Sequence, residues 1–264
     1  MASFPYSCPG DMKFAGSNLR VLSQTYGQGI AEGDIPNHTK WKVIGFRTAL
    51  STAESHLALG ATGRFPWPAV AQKFYIVSTD ADDAAGDTGA RSITFAGIKG
   101  DGTIGTEEVA LAGATVVETV GTYLAPVIDD TCVETVGATG WNEGTITCGT
   151  ANPPTATTTA WAMTIGTNQA AGSVFLVPTG KRAYLMKILT GEASTQGATI
   201  RLYATNPGMT SLRRDIYLLK SNTVVDEFLI PPSYAAGTRL EVTGQSVSGS
   251  AIVSCKFLGW LENA

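Results

Sequence analysis

Residues 88–113 read TGARSITFAGIKGDGTIGTEEVALAG, and this stretch decides the fold. Ile93 and Phe95 alternate with polar residues in its first half, and Val109 and Leu111 alternate with polar or small residues in its second half. A period of two is typical of a strand with one face in a core and the other in water. The Gly-Asp-Gly sequence between the halves allows a tight reversal of the backbone. The stretch therefore predicts an antiparallel hairpin.

The chain from Lys73 onward repeats this pattern of short apolar alternations separated by turn residues. Such spacing predicts antiparallel β-sandwiches, because it lacks alternation of strands with long helices. The sequence Ser51-Thr-Ala-Glu54 matches a capping box and allows one short helix. Outside the hairpin, strands are predicted over residues 41–50, 74–78, 115–120, 131–136, 145–148, 161–165, 174–177, 183–190, 199–205, 212–219, 224–230, 240–243 and 251–258.

We predict an all-β chain with two tandem antiparallel β-sandwiches of jelly-roll-like type, preceded by an extended N-terminal arm. The arm covers residues 1–40, where glycines interrupt every period within a few residues. The first sandwich covers residues 41–152 and the second covers residues 153–264, because the two prolines after Asn152 cannot lie in a ladder. We expect the arm to become ordered against a neighbouring subunit.

Composition and charge narrow the class of function. The 264 residues carry a net charge of −4, and only 15% of them are charged, against roughly 25% in an ordinary soluble domain. No basic patch is present to neutralise phosphates, so we predict no nucleic-acid partner. No apolar run is long enough to span a membrane, and the first residues do not match a secretory signal. The low charge content has two explanations. Much of the surface is covered by partners in an assembly, or the chain is simply β-rich with threonines on its solvent-exposed faces.

The sequence contains no recognisable catalytic constellation. His38 lies in the predicted arm and His56 in the segment of the short helix, so no histidine is placed beside a nucleophile. Neither a GxSxG motif nor a phosphate-binding P-loop occurs. A glycosidase would need two carboxylates across a groove, which spacing alone does not establish. We therefore predict a protein that is not an enzyme and that uses no cofactor.

One loop concentrates carboxylates at Asp80, Asp82, Asp83 and Asp87. Acidic loops of β-sandwiches bind calcium through several hard oxygen ligands. The cluster lacks the DxDxDG spacing with a distal glutamate, so a solvated turn is the favoured interpretation. The four residues are a weak calcium candidate, and no metal is predicted otherwise.

Trp67, Trp141 and Trp161 fall near loops or strand starts, where a sugar-binding platform would place them. Tryptophan buries a large area and is enriched at contacts between subunits. Core or interface packing is therefore the favoured interpretation, and ligand stacking on the three rings is a weak alternative.

The four cysteines, Cys8, Cys132, Cys148 and Cys255, have no CxxC spacing, so they do not indicate a zinc site. Buried free thiols are favoured because nothing in the sequence indicates export. A disulfide between Cys132 and Cys148 across neighbouring strands is the alternative under oxidising conditions.

Three motifs resemble a known family. Residues 78–98 read STDADDAAGDTGARSITFAGI and are followed by TEEVALAGAT at residues 106–115. Residues 177–185 read VPTGKRAYL, and residues 197–202 read GATIRL. With a closing strand near the C-terminus, they resemble virion structural proteins of tailed, often aquatic, bacteriophages, whose domains are tandem β-sandwiches or jelly rolls.

The resemblance implies a non-enzymatic building block of a phage virion: a capsid decoration or cement protein, a vertex or neck component, or a tail appendage. Its partners would be copies of itself, in a trimer or another homo-oligomer, and other virion proteins. It would be located in the virion after assembly in the host cytoplasm. The chain departs from the family before residue 65, so the attachment surface is not predicted.

Two alternative functions stay open. A chain of this length with two jelly rolls could be a double jelly-roll major capsid protein, which is an analogy at the level of the fold. The tryptophans and acidic turns favour instead a carbohydrate-binding host-adhesion protein whose partner is a host glycan.

Overall fold

The computed structural model describes residues 14–15, 18–19, 29–30 and 32–264. The predicted all-β class is confirmed, and every pair of neighbouring strands is antiparallel in the described part of the chain. Most of the predicted arm lies outside the described residues. The strands are β1 Phe14–Ala15, β2 Asn18–Leu19, β3 His38–Leu50, β4 Ser55–His56, β5 Tyr75–Ser78, β6 Ala90–Lys99, β7 Ile104–Ala110, β8 Val117–Glu118, β9 Tyr123–Pro126, β10 Cys132–Val136, β11 Ile146–Gly149, β12 Thr159–Met163, β13 Val174–Leu176, β14 Lys181–Glu192, β15 Ala198–Thr205, β16 Leu212–Leu219, β17 Thr223–Glu227, β18 Ser233–Tyr234, β19 Arg239–Ser246 and β20 Ala251–Asn263.

Eight of these strands form a jelly roll. One sheet has the order β17-β14-β20-β3, and the facing sheet has the order β13-β19-β15-β16. Numbered along the chain from one to eight, the strands read 6-3-8-1 in the first sheet and 2-7-4-5 in the second. That order is the double Greek key of a jelly roll. Short β4 and β18 extend the two sheets by pairing with β19 and β14.

A second sandwich is inserted between the first and second strands of the jelly roll. Its sheets are β10-β6-β7, with β9 also paired to β6, and β12-β11-β5-β8. Numbered in the same way, these strands read 6-2-3 and 8-7-1-4, which is not the jelly-roll order. We call this unit the inserted sandwich.

The hydrogen bonding assigns two strands to a different sandwich from the one predicted by a boundary after Asn152. β3 falls in the range predicted for the first sandwich, yet it pairs with β20 from His38↔Glu262 to Leu50↔Ala251. β12 falls in the range predicted for the second sandwich, yet it pairs with β11. These two placements are corrected because a strand's partner is chosen by packing across the whole chain, whereas a proline pair marks only a local interruption.

The hairpin of residues 88–113 forms as predicted. β6 pairs with β7 from Ser92↔Ala110 to Ile98↔Ile104. Ile93 and Phe95 are fully buried in the core of the inserted sandwich.

The short helix allowed after Ser51 does not form. That segment is a bend followed by β4, in which His56 pairs with Thr243 of β19. The ladder partner offered by β19 outweighs a local capping signal of one turn.

Each sandwich has its own apolar core. In the jelly roll, Trp41 stacks on Phe175 with ring centroids 4.4 Å apart, and Leu185 and Ile188 of β14 are fully buried. In the inserted sandwich, Trp161 is fully buried in the same core as Phe95. Two independent cores are what a chain of this length is expected to build.

The two ends of the inserted sandwich meet at a buried hydroxyl. The Leu57 amide donates to Ser173 Oγ over 2.6 Å, and Ser173 Oγ donates to the Val242 carbonyl over 2.6 Å. The Val242 amide donates in return to the Ser173 carbonyl. The chain therefore leaves the jelly roll and re-enters it at one point on β19.

The hairpin tip touches the jelly roll at the turn before β14. The Thr179 amide donates to the Gly102 carbonyl over 2.8 Å, and Thr179 Oγ1 donates to the Asp101 carbonyl over 3.0 Å. Gly102 has φ +81°, and a Cβ there would lie 1.8 Å from Thr179 Oγ1. The turn between the first two motif segments, residues 78–98 and 106–115, is thus in direct contact with the motif at residues 177–185.

Replacing Gly102 with Ala is expected to destabilise the protein more than replacing Gly180 with Ala. Gly180 has φ +70° and no atom near its added Cβ, so its substitution reports backbone strain alone, about 1 kcal/mol. Gly102→Ala adds the overlap with Thr179 and should cost about 1–3 kcal/mol more. Chemical denaturation of both variants measures the difference. Equal losses of stability would show that the hairpin tip does not pack on the jelly roll.

Candidate functional site

The acidic loop is organised around one buried carboxylate. Asp83 is fully buried, and its Oδ1 accepts from the amides of Ala90 at 2.9 Å and Glu143 at 2.8 Å. Its Oδ2 accepts from the Gly144 amide at 2.8 Å and from Ser78 Oγ at 2.6 Å. These four donors occupy both oxygens, so Asp83 ties the loop to β6 and to the turn before β11.

The calcium candidate is not assembled as a ligand set. Asp80 Oδ1 accepts from the Asp82 amide at 3.0 Å, which is a local turn contact, and Asp82 and Asp87 are exposed. The part of the chain that the structure describes contains no group of three or more acidic, histidine or cysteine side chains placed to hold a metal.

Asp83→Asn is expected to lower the stability by about 2–5 kcal/mol, because an amide nitrogen would face donors in place of an accepting oxygen. The exposed neighbour Asp82→Asn is the matched control and should change it by less than about 0.5 kcal/mol. Thermal unfolding measures both. The wild-type protein should unfold at the same temperature in calcium and in EDTA, and a calcium-dependent rise would contradict the structural role.

The three candidate tryptophans do not converge. Trp161 is fully buried in the inserted sandwich. Trp67 is partly buried, with Phe65 at its edge and the Arg239 guanidinium 5.5 Å from its ring centre. Trp141 is 51% exposed on a separate loop. Of the three candidate rings, therefore, only that of Trp141 is exposed, and the three do not share one surface.

Free thiols are found at the three described cysteines. Cys132 lies in β10 and Cys148 in β11, which belong to opposite sheets of the inserted sandwich, and they are not joined. Burial raises the pKa of Cys148 well above its usual value and that of Cys255 to about 12. Neither of these two buried thiols is suited to nucleophilic chemistry. Cys8 lies outside the described residues.

Neither histidine is placed for catalysis. His38 Nδ1 lies 2.8 Å from the Pro36 carbonyl near the start of β3. His56 is fully buried, and its Nδ1 lies 3.2 Å from the Gly63 carbonyl. Burial lowers the pKa of His56 to about 4, and the positive charge of Arg47 acts in the same direction. Arg47 itself is buried and donates to the carbonyls of Ala49, Ala58 and Ala61.

His56 makes the stability depend on pH in a defined window. The unfolded histidine titrates near pH 6.5, so between about pH 6.5 and 4 the unfolded chain binds a proton that the folded chain excludes. Its contribution is complete above pH 6.5 and is lost as the pH falls towards 4, by up to about 1.4 kcal/mol per pH unit. His56→Asn, whose amide can still donate to Gly63, should have a shallower slope in this window. Urea unfolding from pH 7 to 4 tests this, and identical slopes would contradict it.

A segment over the jelly roll is held by a buried carboxylate that sequence reasoning did not single out. Glu241 Oε2 accepts from Arg64 Nη2 at 2.6 Å, and Oε1 accepts from the Phe65 amide at 2.7 Å. Burial raises the pKa of Glu241, and the Arg64 guanidinium opposes that rise. Arg64 also lies 4.1 Å from the ring centre of Tyr203. The pairing of Arg64 with Glu241 spans most of the chain, so no local pattern could reveal it.

Exposed apolar side chains gather at the edge of the jelly roll formed by β16 and β17. Among the described residues, β16 pairs only with β15, and β17 only with β14. Ile216 and Leu218 alternate on the outward face of β16, and Leu218 is 74% exposed. Val225 of β17 is also exposed. Edge strands with apolar faces are templates for association. We call these three residues the apolar edge.

Two further aliphatic side chains protrude next to this edge. Leu229 is 97% exposed and Ile230 is 86% exposed, in the loop between β17 and β18. They are the most exposed large hydrophobic residues in the described part of the chain. We call this pair the apolar knob.

A cleft of about 400 Å³ lies where the hairpin tip meets the jelly roll. Ile98, Leu176 and Val177 line it and are buried, and Leu124 is partly buried beside them. The turn at residues 206–209 faces the hairpin tip across it, and Met209 is mostly exposed. We call this feature the junction cleft.

Comparisons with known proteins add no functional assignment. No protein-family model matches the chain, and no curated protein matches it. Two solved structures of infectious bursal disease virus are similar over most of their length. The Gt strain structure has 11% identity and a TM-score of 0.16, covering 90% of this chain and 87% of that chain. The Gx strain structure has 10% identity and a TM-score of 0.13, covering 86% and 81%. At these TM-scores the likeness carries no inference.

No helix in the described residues is long and apolar enough to cross a membrane.

Proposed function

We propose that this chain is a non-enzymatic structural component of a virus particle, a phage virion by its motifs, and that it assembles through contacts between copies. It is built into the particle in the host cytoplasm as a decoration, vertex, neck or tail-appendage protein. The observation that carries the proposal is the apolar edge, where Ile216, Leu218 and Val225 lie on two edge strands, each paired on one side only among the described residues. Soluble monomers protect such strands with charges, prolines or covering segments.

The motifs that resemble phage proteins support the same function. They form the β6–β7 hairpin, the turn before β14 and the start of β15. These are parts of the framework that hold the two sandwiches together, as the contact between Gly102 and Thr179 illustrates. Jelly rolls also occur in lectins and cupins, so the fold alone does not select this function.

The alternatives have less support. A double jelly-roll capsid protein would need two jelly rolls, and the inserted sandwich has another strand order. A sugar-binding adhesion protein was suggested by three tryptophans, of which Trp161 is in a core and Trp141 stands alone on the surface.

Quantitative mass spectrometry of purified particles tests the proposal. We expect the chain in the purified particle, where a high copy number would indicate a coat decoration and a low one a vertex, neck or tail component. Its absence from the particle would overturn the proposal. Sedimentation of the purified protein should show self-association that Ile216→Ser with Leu218→Ser weakens about tenfold. The control Val120→Ser, at an exposed position of the inserted sandwich, should leave it unchanged.

A further inference from the structure

We propose that two carboxylates, Asp215 of β16 and Asp226 of β17, regulate the assembly of copies at the apolar edge. While both are ionised they oppose the addition of a strand from a second copy, and protonation removes that opposition. We call these two residues the carboxylate pair. This inference rests on the proposed function, because it names what regulates the contact that the proposed function assigns to the apolar edge.

Both carboxylates lie on the side of their strands that faces the core. Asp215 is directly opposite Leu202 of β15, and Asp226 is directly opposite Ile188 of β14. Leu202 and Ile188 are buried in the core of the jelly roll. Residues that are directly opposite each other in neighbouring strands share one face of the sheet. Each edge strand therefore turns a carboxylate inward where its neighbour turns an aliphatic side chain inward.

The apolar edge occupies the other face of the same two strands. Ile216 and Leu218 alternate with inward-facing residues along β16, and Val225 directly precedes Asp226 in β17. Inward-pointing charges are one of the devices by which edge strands avoid pairing with other chains. Each strand thus combines an exposed aliphatic face, which favours association, with a carboxylate that opposes it.

The carboxylate pair lies where the two edge strands face each other across the open side of the sandwich. The Tyr217 hydroxyl of β16 donates to Asp226 Oδ2 of β17 over 2.9 Å, so the strands are in contact there. Asp215 precedes Tyr217 by two residues on the same face of β16, and the charge of Asp226 acts on it. Two like charges on facing strands repel each other while both are ionised.

The surroundings of Asp215 favour its neutral form. Burial raises the pKa of Asp215, and the charge of Asp226 raises it further, while the Arg214 guanidinium opposes the rise. The hydroxyls of Tyr217 and Tyr234 also interact with Asp215, and both stay neutral because burial raises their pKa values. Asp215 therefore takes up a proton at a pH above the range of an ordinary aspartate, which is about 4.

A strand added to β16 strengthens this preference. It would lie beside Asp215 and exclude water from it, and the loss of water costs an ionised carboxylate far more than a neutral one. Association is therefore coupled to the uptake of a proton. Each proton taken up strengthens association by up to about tenfold for each unit by which the pH falls.

Sedimentation of the full-length protein between about pH 7.5 and 5.5 tests the regulation. We expect the dissociation constant of the wild type to fall by about tenfold or more over this range. Asp215→Asn keeps the shape of the side chain without its charge, so it should associate at about pH 7.5 as tightly as the wild type does at about pH 5.5. Folded His56 stays neutral throughout, because burial lowers its pKa to about 4.

Asp87→Asn is the matched control. It removes the same charge from an exposed position in the acidic loop of the inserted sandwich. The net charge of the wild type is −4 at pH 7, so every variant approaches neutrality as the pH falls. Asp87→Asn should therefore associate as the wild type does at each pH, and only the difference between the two variants reports the carboxylate pair.

Asp226→Asn gives a second readout that a merely structural role would not move. It removes the neighbouring charge while its side-chain oxygen still accepts from Tyr217, so the pKa of Asp215 falls towards its usual value. The strengthening of association should then shift to lower pH. Thermal unfolding checks the fold, and Asp215→Asn should be no less stable than the wild type at about pH 7.5, because an ionised carboxylate with a raised pKa weakens the fold.

The outcomes separate the regulation from the proposed function. If Ile216→Ser with Leu218→Ser weakens association while Asp215→Asn and Asp87→Asn behave alike, the regulation is wrong and the proposed function stands. If Ile216→Ser with Leu218→Ser leaves association unchanged, the apolar edge is not the contact, and the regulation fails together with the observation that carries the proposed function. If neither the wild type nor Asp215→Asn associates over the whole pH range, the regulation fails and so does assembly through copies of this chain.

Discussion

The arrangement of the molecule depends on the hydroxyl of Ser173, which connects the two ends of the inserted sandwich to the jelly roll. Ser173 is the residue at which the chain returns to the jelly roll, and its hydroxyl accepts from the amide of Leu57, where the chain leaves it. The same hydroxyl donates to the carbonyl of Val242 in β19. An insertion whose ends meet does not disturb the host domain. β3 can therefore pair with β20 even though more than a hundred residues separate it from the next strand of the jelly roll.

Two buried carboxylates and one exposed threonine then hold the inserted sandwich and its connections in place. Asp83 anchors the acidic loop through four donors, Glu241 anchors the segment at Arg64, and Thr179 anchors the hairpin tip. The oxygens of both buried carboxylates are satisfied by donors, as buried polar atoms must be. The acidic loop, which in sequence is a weak calcium candidate, is consequently part of the framework.

Exposed aliphatic side chains are grouped on one side of the jelly roll. The apolar edge and the apolar knob lie on the side of the jelly roll formed by β16 and β17, while the inserted sandwich is attached beside β3 and β13. The exposed apolar side chains and the inserted sandwich therefore occupy different sides of the jelly roll.

The sequence by itself determined where most strands lie, because burying one face of a strand imposes a period of two that is visible locally. Leu212–Leu219 was predicted with its observed bounds, and Ile93 and Phe95 were assigned to the core. Only the tertiary structure decided which strands pair. β3 pairs with β20, and β4 forms where a short helix was predicted. In both places the long-range ladder outweighs the local signal. It also decided that Asp83 is an anchor and Trp161 a core residue, since burial depends on neighbours far away in the chain.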